Sequence, residues 1–247
     1  MYRALIFIAD LLYRYAYVAY RPLYFWYKRI ADADELALVA RYVRPGAIVL
    51  DIGGNIGFYA LRFSELAGAN GLVHVFEPDP LNYRRLVANV SGRGNVKPNH
   101  LAVSSGPGTL KLYRSSLLNV DHRTYVHGGE GEGIEVSADT IDHHLGGGRV
   151  DFVKIDIQGY EMEAFRGMEQ TLAANPDIVI LAELFPKGLA DAGSSAGELL
   201  KFFWQRGFEV RRIAGRELIP MSERDLDRPA HAGELDFDNI LVTRRVQ

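Results

Sequence analysis

The feature that most constrains this chain is the stretch D-I-G-G-N-I-G at residues 51–57, which directly follows the apolar run 47–50. The segment after it, residues 59–66, carries apolar side chains at helical spacing. The pattern predicts a buried strand, a glycine turn and a helix. In α/β proteins such a unit places a ligand site at the carboxyl end of a parallel strand, where nucleotides bind.

Two common glycine-turn motifs do not match this stretch. A dinucleotide fingerprint G-x-G-x-x-G that starts at Gly53 needs glycines where the chain has Asn55 and Phe58. A P-loop needs Gly-Lys-Ser/Thr after four spacer residues, and no lysine stands at that place. The pattern that remains is D-x-G-x-N-x-G.

Strands and helices alternate along most of the chain, which is typical of a doubly wound parallel α/β sheet. Further helices are predicted over residues 81–90 and 160–174. After about residue 205 the predicted strands follow one another without a long helix, which indicates an antiparallel edge. The predicted strands are 47–50, 72–76, 100–103, 151–155 and 178–181 in the parallel part, and 208–213, 218–221 and 239–243 at the edge.

Charge and cysteine content exclude several classes of function. The formal net charge is -3 at pH 7, and no lysine- or arginine-rich face is evident. Affinity through neutralisation of phosphates is therefore not expected, and nucleic acid is not a predicted partner. The chain has no cysteine, which excludes disulfides, thiolate nucleophiles and cysteine-ligated zinc. The compartment is left open by these counts, and the cytoplasm is the default expectation.

Residues 1–30 are predicted to form a helical extension ahead of one domain over residues 31–247. Seven of the 13 tyrosines fall between Tyr2 and Tyr27, interleaved with arginines. No apolar run approaches the roughly 20 residues of a membrane span, and no signal-peptide cleavage site follows. Packing on the domain or on a partner subunit is the favoured interpretation, and a helix at the inner face of the membrane is the alternative. Pro22 is expected to end or kink the first helix.

An acidic residue, Glu77, follows the second predicted strand in H-V-F-E-P-D-P. A carboxylate at that place can accept hydrogen bonds from both hydroxyls of a ribose, and it repels a 2′-phosphate. The competing role is that of a capping acid for the helix that begins near Leu81, and Asp79 fits that role better. We therefore interpret Glu77 as a ribose ligand.

Acidic side chains also follow the fourth predicted strand and end the fifth. In V-D-F-V-K-I-D-I-Q-G-Y-E, Lys154 and Asp156 lie two residues apart and so share a face, with Asp156 nearer the crevice. An unpaired carboxylate is costly at the end of a buried strand, so a role in the site is expected for Asp156. Glu161 is interpreted as a helix-start residue. Glu183, in I-L-A-E-L-F-P, reaches the same rim, and the two acids could bind a cationic ligand, a metal or sugar hydroxyls.

Together these motifs resemble the class I S-adenosylmethionine-dependent methyltransferases, and more narrowly the FkbM-type family. The chain departs from that family at Gln158, where a second acid is common, and in its tyrosine-rich N-terminus. The resemblance implies a Rossmann-like, mostly parallel sheet of seven strands. The stretches that carry it are V-L-D-I-G-G-N-I-G-F-Y-A, V-F-E-P-D-P-L-N-Y-R-R-L-V-A-N-V, the pair Ala102-Val103, and K-I-D-I-Q-G-Y-E-M-E-A-F-R-G-M with E-L-F-P after it.

The resemblance also implies a cofactor, S-adenosyl-L-methionine. In this interpretation the glycine turn surrounds the methionine half, Glu77 holds the ribose and residues 102–103 lie near the adenine. Methyl transfer to an oxygen would then depend mainly on positioning and on a dry site. The residues implied to bind the cofactor are Asp51, Gly53, Asn55, Gly57, Phe58, Glu77, Pro78, Ala102 and Val103.

A general base is needed if the acceptor is a weakly acidic hydroxyl. His122 is the first candidate, because it lies in the long linker 104–149, predicted to be a lid or substrate loop, with an acid beside it in sequence. His127 and the pair His143-His144 are weaker candidates. No resident metal is predicted, although the two strand-end acids with another oxygen donor could hold one. The predicted catalytic residues are His122, Asp156 and Glu183.

The predicted function is O-methylation of a hydroxyl on a sugar, glycan or natural product, since the resembled family acts largely on such acceptors. A small molecule or a glycan is therefore the expected partner. Two alternatives stay open. A nicotinamide-dependent oxidoreductase would explain the sheet and Glu77 but not the missing third glycine, and a non-catalytic adaptor would use the N-terminal helix but leave the crevice acids without a role.

Overall fold

The structure, a computed structural model, describes the backbone of residues 2–114, 122–123, 133–226 and 237–244, and the side chains of these residues except 2–6, 114 and 122–123. The helices are α1 Tyr2–Tyr15, α2 Tyr17–Ala31, α3 Ala33–Tyr42, α4 Phe58–Ala67, α5 Pro80–Val90, α6 Ile141–Leu145, α7 Glu161–Arg166, α8 Glu169–Ala174, α9 Pro186–Asp191 and α10 Ala196–Gln205. The strands are β1 Ile48–Ile52, β2 Leu72–Phe76, β3 Val96–Asn99, β4 Ala102–Val103, β5 Gly108–Arg114, β6 His122–Arg123, β7 Gly133–Asp139, β8 Phe152–Ile155, β9 Val179–Leu184, β10 Phe208–Ala214, β11 Glu217–Pro220 and β12 Asp238–Arg244.

The main sheet has the strand order β11-β10-β12-β9-β8-β1-β2-β3. The five strands from β9 to β3 in this order are parallel, and β12, β10 and β11 are antiparallel. The predicted fold class and its antiparallel C-terminal edge are confirmed. The described part of the sheet has eight strands where seven were implied, because β11 folds back on β10 as a hairpin and adds an edge strand.

The central strands alternate their side chains between two apolar layers, as strand geometry requires. Val49 of β1 packs into a core under α3, α4 and α5, whereas Leu50 and Ile52 pack into a core under α7, α8 and α10. Both faces of the sheet are therefore covered, which explains the continuous apolar runs in β1 and β8.

The third predicted strand, at residues 100–103, is wrong for the main sheet. The strand that pairs with β2 is β3 at Val96–Asn99, while Ala102 and Val103 form β4 of a second sheet. Pro98 lies within β3, which is tolerated because β3 is an edge strand. Because proline interrupts an apolar run, a strand that contains it is not predicted from such runs.

The helix predicted over residues 160–174 is divided in two at Gly167. A side chain at this position would place its Cβ 1.9 Å from the backbone oxygen of Ser104. The break between α7 and α8 thus allows a close approach of two backbones, which only glycine permits.

The linker 104–149, predicted to be a long lid or loop, contains most of a second sheet of order β4-β7-β5-β6. Apolar residues at every second position, Leu110 and Leu112 on β5 and Ile134 and Val136 on β7, pack its small core. That period of two is the signal of a strand pair. Residues 115–121 and 124–132 lie outside the described part of the chain.

The N-terminal helices α1 and α2 meet at Ala16, so the expectation that Pro22 ends the first helix is wrong: Pro22 lies inside α2. Tyr13 of α1 is buried and donates a hydrogen bond to Asn82 of α5. The guanidinium of Arg85 stacks 3.6 Å from the centre of the Tyr13 ring. These contacts join the extension to the domain. Among the described helices, none is long and apolar enough to cross a bilayer.

Candidate active site

The carboxyl ends of β1, β8 and β9 bring a row of polar side chains onto one face of the sheet. Asp51 pairs in register with Lys154, and Lys154 pairs with Leu181. Because side chains alternate, Asp156 and Glu183 lie on this same face, two residues further along. Asn239 of β12 pairs with Glu183 and extends the row. This is the face that α3 and α4 cover.

The glycine turn after β1 has a backbone that other residues could not adopt cheaply. Gly53 has a φ of 81°, and a Cβ at this position would lie 2.1 Å from the backbone oxygen of Asp156. Asn55 has a φ of 48°, which asparagine tolerates better than most residues. Gly57, with a φ of 88°, is the residue before α4. The turn therefore brings backbone close to the end of β8 and exposes the start of α4.

Asp51 is a fully buried acid without a hydrogen-bond partner among the described residues, at either carboxylate oxygen. Burial raises its pKa to about 6; Asp156 adds to the rise, and the ammonium of Lys154 opposes it. A buried polar group without a partner is costly and calls for a functional explanation. A positively charged group of a ligand would supply the missing partner.

Glu77 also lies buried, but backbone amides hold both of its oxygens. Oε2 accepts from the amide of Asn55 at 2.8 Å, and Oε1 accepts from the amide of Asp79 at 2.9 Å. Burial raises its pKa to about 8, although these hydrogen bonds act in the opposite direction. Asp79 caps α5 by accepting from Leu81 and Asn82, as predicted. The two acids of this loop thus have separate roles.

A cleft lies between the ends of β1 and β2 and the start of the second sheet. Its lining includes Glu77 from the loop after β2, Gly53 from the glycine turn and Asp156 from the end of β8. Its walls combine apolar surface with a few polar groups, as small-molecule sites do. The lining residues named by the prediction are Gly53, Asn55, Glu77, Pro78, Ala102, Val103 and Asp156.

The acids after β8 and on β9 are held together by an amide. Gln158 Nε2 donates to Asp156 Oδ1 at 3.1 Å and to Glu183 Oε2 at 3.2 Å. Lys154 Nζ donates to Asp156 Oδ2 at 3.2 Å. Burial acts to raise the pKa of Asp156, but the ammonium groups of Lys154 and Lys28 outweigh it and hold the pKa below its usual range. The Asp156 carboxylate is therefore ionised near neutral pH.

Glu161 ties the loop after β8 together, in agreement with its interpretation as a helix-start residue. Its Oε1 accepts from the amides of Ile157 and Gly159, each at 3.1 Å. Gln158, between them, has a left-handed φ of 55°. In the described part of the chain, Asn55 and Gln158 are the only residues other than glycine with a positive φ, and both line the cleft. Strained backbone of this kind concentrates at functional sites.

A second, larger and open cavity adjoins the cleft and shares Gly53, Asn55, Asp156 and Gln158 with it. The sheet side carries Asp51, Lys154, Asp156 and Glu183, together with Phe58 from the start of α4. The opposite side is formed by the N-terminal helices and the residues between them, with Tyr24, Tyr27, Lys28, Asp32 and Glu35.

The sequence analysis did not predict that the N-terminal helices form the opposite side of this cavity. Tyr24, Lys28, Asp32 and Glu35 follow one another at intervals of four, four and three residues, the spacing of one helical face. This polar stripe was the available signal, and the surrounding tyrosines concealed it.

Among the side chains that the structure describes, the predicted histidines do not lie together with the acids of the two cavities. His122 pairs through its backbone with Arg114, and its side chain lies outside the described residues, as does the whole of His127. His143 Nδ1 lies 2.6 Å from Asp139 Oδ2, whereas the His144 ring packs edge-on against Phe76. The side chains of this pair diverge, as expected. Within the described ranges, no group of three or more acids and histidines is arranged to hold a metal.

Comparison with known proteins identifies the family. Residues 51–210 match the family described as Methyltransferase FkbM domain. The hexuronic acid methyltransferase AglP of Haloferax volcanii is 26% identical over 154 residues, which cover 60% of this chain and 61% of AglP. The 31-O-demethyl-FK506 methyltransferase FkbM of Streptomyces tacrolimicus is 38% identical over 71 residues, 28% of this chain and 27% of that protein. The chain thus spans less than two thirds of either relative.

The fold has a counterpart among solved structures. The crystal structure of an rRNA methylase from Streptococcus thermophilus superposes with a TM-score of 0.51 at 10% identity, covering 86% of this chain and 95% of that one. At this identity the likeness concerns the fold alone. The family match covers well over half of the chain and contains the glycine turn, Glu77, Asp156 and Glu183. The chain belongs to the FkbM family of methyltransferases.

Proposed function

We propose that this protein is an S-adenosylmethionine-dependent O-methyltransferase that acts on a hydroxyl of a sugar, a glycan or a related natural product. The observation that carries the proposal is the pair of buried acids in adjoining cavities. Asp51 has no partner, and Glu77 is fixed by two backbone amides. A ligand with a cationic group at one end and a ribose at the other satisfies both acids.

The residues present fit this cofactor. The buried carboxylate of Asp51 suits the ammonium of its methionine half, and the close approach at Gly53 leaves backbone rather than side chain facing the ligand. Glu77 is held in place to accept hydrogen bonds from the ribose hydroxyls. The pair Ala102-Val103 offers an apolar wall near the adenine. When bound, the cofactor supplies a methyl group made electrophilic by a sulfonium.

The contribution of the protein to the reaction is positioning and electrostatics. Asp156 stays ionised because two lysines lower its pKa, so it suits the task of accepting a hydrogen bond from the acceptor hydroxyl better than that of removing its proton. Gln158 fixes Asp156 and Glu183 relative to each other. His122 remains our predicted base. Holding the acceptor oxygen in line with the methyl group accounts for most of the expected acceleration.

The proposed substrate class is based on the acceptors for which the relatives are named. One is named for a hexuronic acid and the other for the 31-O position of FK506, and both names indicate an acceptor that carries oxygen. The proposed alternatives, a nicotinamide-dependent oxidoreductase and an adaptor, gain nothing from these relatives.

The test is calorimetric titration with S-adenosylhomocysteine, with NADH as the comparison ligand. We expect saturable binding of the former only. Glu77→Gln should weaken it by at least tenfold, because the amide NH2 would replace an oxygen that accepts from a backbone N–H and would displace the group that faces the ribose. The control Glu65→Gln changes an exposed acid of α4 and should bind normally. Binding of NADH alone, or unchanged affinity in a folded Glu77→Gln protein, would contradict the proposal.

The outer surface of α1 and α2 is suited to bind an anionic membrane. Of the twelve exposed large hydrophobic residues in the described chain, nine lie between Phe7 and Ile30, and all of these except Tyr27 lie outside the two cavities. Residues 1–31 also contain five basic residues and one acidic residue. We therefore propose peripheral contact at the cytoplasmic face of a membrane. The net charge of the whole chain supports the prediction that nucleic acid is not a partner.

A further inference from the structure

The cavity beyond the cofactor cleft is closed on one side by helices outside the family match. The match begins at residue 51, whereas Tyr24, Tyr27 and Lys28 lie on α2 and Glu35 lies on α3. Because this cavity shares Asp156 with the cofactor cleft, a molecule inside it would adjoin the proposed cofactor site.

We propose that α2 and α3 form the acceptor-binding wall of the active site, and that the acceptor they fit is a neutral polyhydroxylated ring. This inference rests on the proposed methyltransferase function. It gives the tyrosine-rich extension a role in substrate specificity that is independent of any contact with a membrane.

The wall is fixed to the domain by specific contacts. The hydroxyl of Tyr59 in α4 donates to Asp32 Oδ2 at 2.8 Å, and Lys28 forms an ion pair with the same carboxylate. Asn239 Nδ2 of β12 donates to Glu35 Oε1 at 2.6 Å. The wall is therefore held at two places, by Tyr59 of α4 and by Asn239 of the antiparallel strand β12.

The charges in the cavity disfavour an anionic acceptor. Five carboxylates line it against two lysine ammonium groups, and the carboxylates stay in excess after Asp51 is paired with the cofactor ammonium proposed above. Both lysines are already occupied, Lys28 by Asp32 and Lys154 by Asp156. Neither lysine is free to neutralise the charge of a carboxylate or phosphate on the acceptor. The excess of negative charge in the cavity would therefore repel an anionic acceptor. The acidic residues are Asp32, Glu35, Asp51, Asp156 and Glu183.

The remaining chemistry of the cavity suits a ring that carries hydroxyls. Carboxylate oxygens accept hydrogen bonds from hydroxyl groups, and aromatic faces pack against the apolar side of a ring. Tyr27 and Phe237 line this cavity with 60% and 45% of their surface exposed, so both rings are accessible to a ligand.

The experiment is saturation-transfer NMR on the full chain with S-adenosylhomocysteine bound. The probes are methyl hexopyranosides of gluco, manno and galacto configuration and, separately, the corresponding methyl hexuronosides. We expect signals from at least one neutral hexoside and signals at least fivefold weaker from its hexuronoside. Tyr27→Ala should reduce the hexoside signal at least threefold. Tyr15→Ala, which removes a tyrosine that is 83% exposed and lines neither cavity, should leave the signal unchanged.

A second variant tests the charge argument. Glu35→Gln keeps an oxygen that can accept from Asn239 but removes one negative charge, so the preference for the neutral probe should narrow. The inference is overturned if no hexoside binds, if Tyr27→Ala binds it normally, or if hexuronosides bind equally well. Calorimetry separates the two proposals: failure to bind S-adenosylhomocysteine would instead contradict the methyltransferase function.

Discussion

Individual residues of the glycine turn and the buried acids determine what this site can bind. Gly53 combines a left-handed φ with a Cβ position already occupied by backbone, so two separate physical effects exclude any side chain there. Asp51 and Glu77 are both buried, yet only Glu77 has hydrogen-bond partners among the described residues. Substitutions at the glycine therefore test the backbone of the site, and substitutions at the acids test its charge.

The first prediction compares two glycines. Gly46 and Gly53 have nearly equal φ angles of 82° and 81°, but a Cβ at Gly46 would meet nothing within 4 Å. Gly46→Ala should lose about 1 kcal/mol of unfolding free energy from backbone strain alone. Gly53→Ala should lose at least about 3 kcal/mol, because the end of β8 must also shift.

Urea unfolding measures both values, and calorimetry with S-adenosylhomocysteine measures binding. Only Gly53→Ala should lose affinity. Equal destabilisation by the two substitutions would show that the contact with Asp156 does not matter.

The second prediction concerns the dependence of stability on pH. Burial raises the pKa of Glu161 from its ordinary 4.5 to about 7. Because the folded state holds this proton more tightly than the unfolded state, the stabilisation is complete below about pH 4.5 and is lost as pH rises through 7. The shift corresponds to about 3 kcal/mol. Glu161→Gln cannot ionise, so its unfolding free energy should fall less between pH 5 and pH 8.

The measurement is urea unfolding of both proteins at these two pH values. Glu198→Gln is the control, since Glu198 is an exposed acid in the first turn of α10. If Glu161→Gln shows the same pH dependence as the original protein, ionisation of Glu161 does not contribute.

At the scale of elements, the loop between β8 and α7 organises the acids of the site. Glu161 accepts two backbone amides of this loop, and Gln158 reaches back to Asp156 and across to Glu183. The amide provides a donor between two carboxylates, where an acid would add a third negative charge. This explains physically how the chain accommodates its departure from the family pattern at Gln158.

The third prediction replaces that amide by an acid. Gln158→Glu should lower the melting temperature, and the loss should grow from pH 5 to pH 8. At low pH a protonated carboxyl can still donate a hydrogen bond, whereas at high pH three carboxylates repel one another. Differential scanning fluorimetry measures the effect, with Gln205→Glu on the exposed end of α10 as the control. A loss independent of pH would argue against charge repulsion.

At the scale of the whole molecule, the N-terminal helices present two different surfaces. The inner surface binds the domain through Tyr13 and contributes Tyr24 and Lys28 to the second cavity. The outer surface exposes Leu23, Trp26 and Ile30, at the spacing of one helical face. Large apolar side chains grouped in this way mark an interaction surface.

The fourth prediction tests the membrane as the partner of that surface. The full chain should sediment with vesicles of phosphatidylglycerol and phosphatidylcholine at low salt, and more weakly with phosphatidylcholine alone. Replacing Leu23, Trp26 and Ile30 together by glutamine should abolish sedimentation. The control replaces Val87 and Ile219, exposed apolar residues elsewhere on the surface.

Analytical ultracentrifugation completes this experiment. A dimer that is lost in the triple variant, without any binding to vesicles, would identify a second copy of the chain as the partner and contradict the membrane proposal.

Much of the fold and of the candidate cofactor site could be predicted because the signals are local. The strand before Asp51, the glycine turn, the cap at Asp79 and the strand over residues 72–76 each depend on a few neighbouring residues. The errors arose where a local signal was weak or ambiguous. Pro98 interrupts the apolar pattern of an edge strand. Gly167 divides a predicted helix because a distant backbone approaches it closely, and Pro22 lies inside α2 instead of ending a helix.

The sequence alone therefore determined the fold class, the family and the acids at the ends of the parallel strands, since all of these depend on short-range patterns and their order. Only the tertiary structure decided that the tyrosine-rich helices line a cavity beside those acids. The contact between Glu35 and Asn239 joins residues 204 positions apart. No spacing rule reaches so far, because such contacts depend on how completed elements pack rather than on any periodicity along the chain.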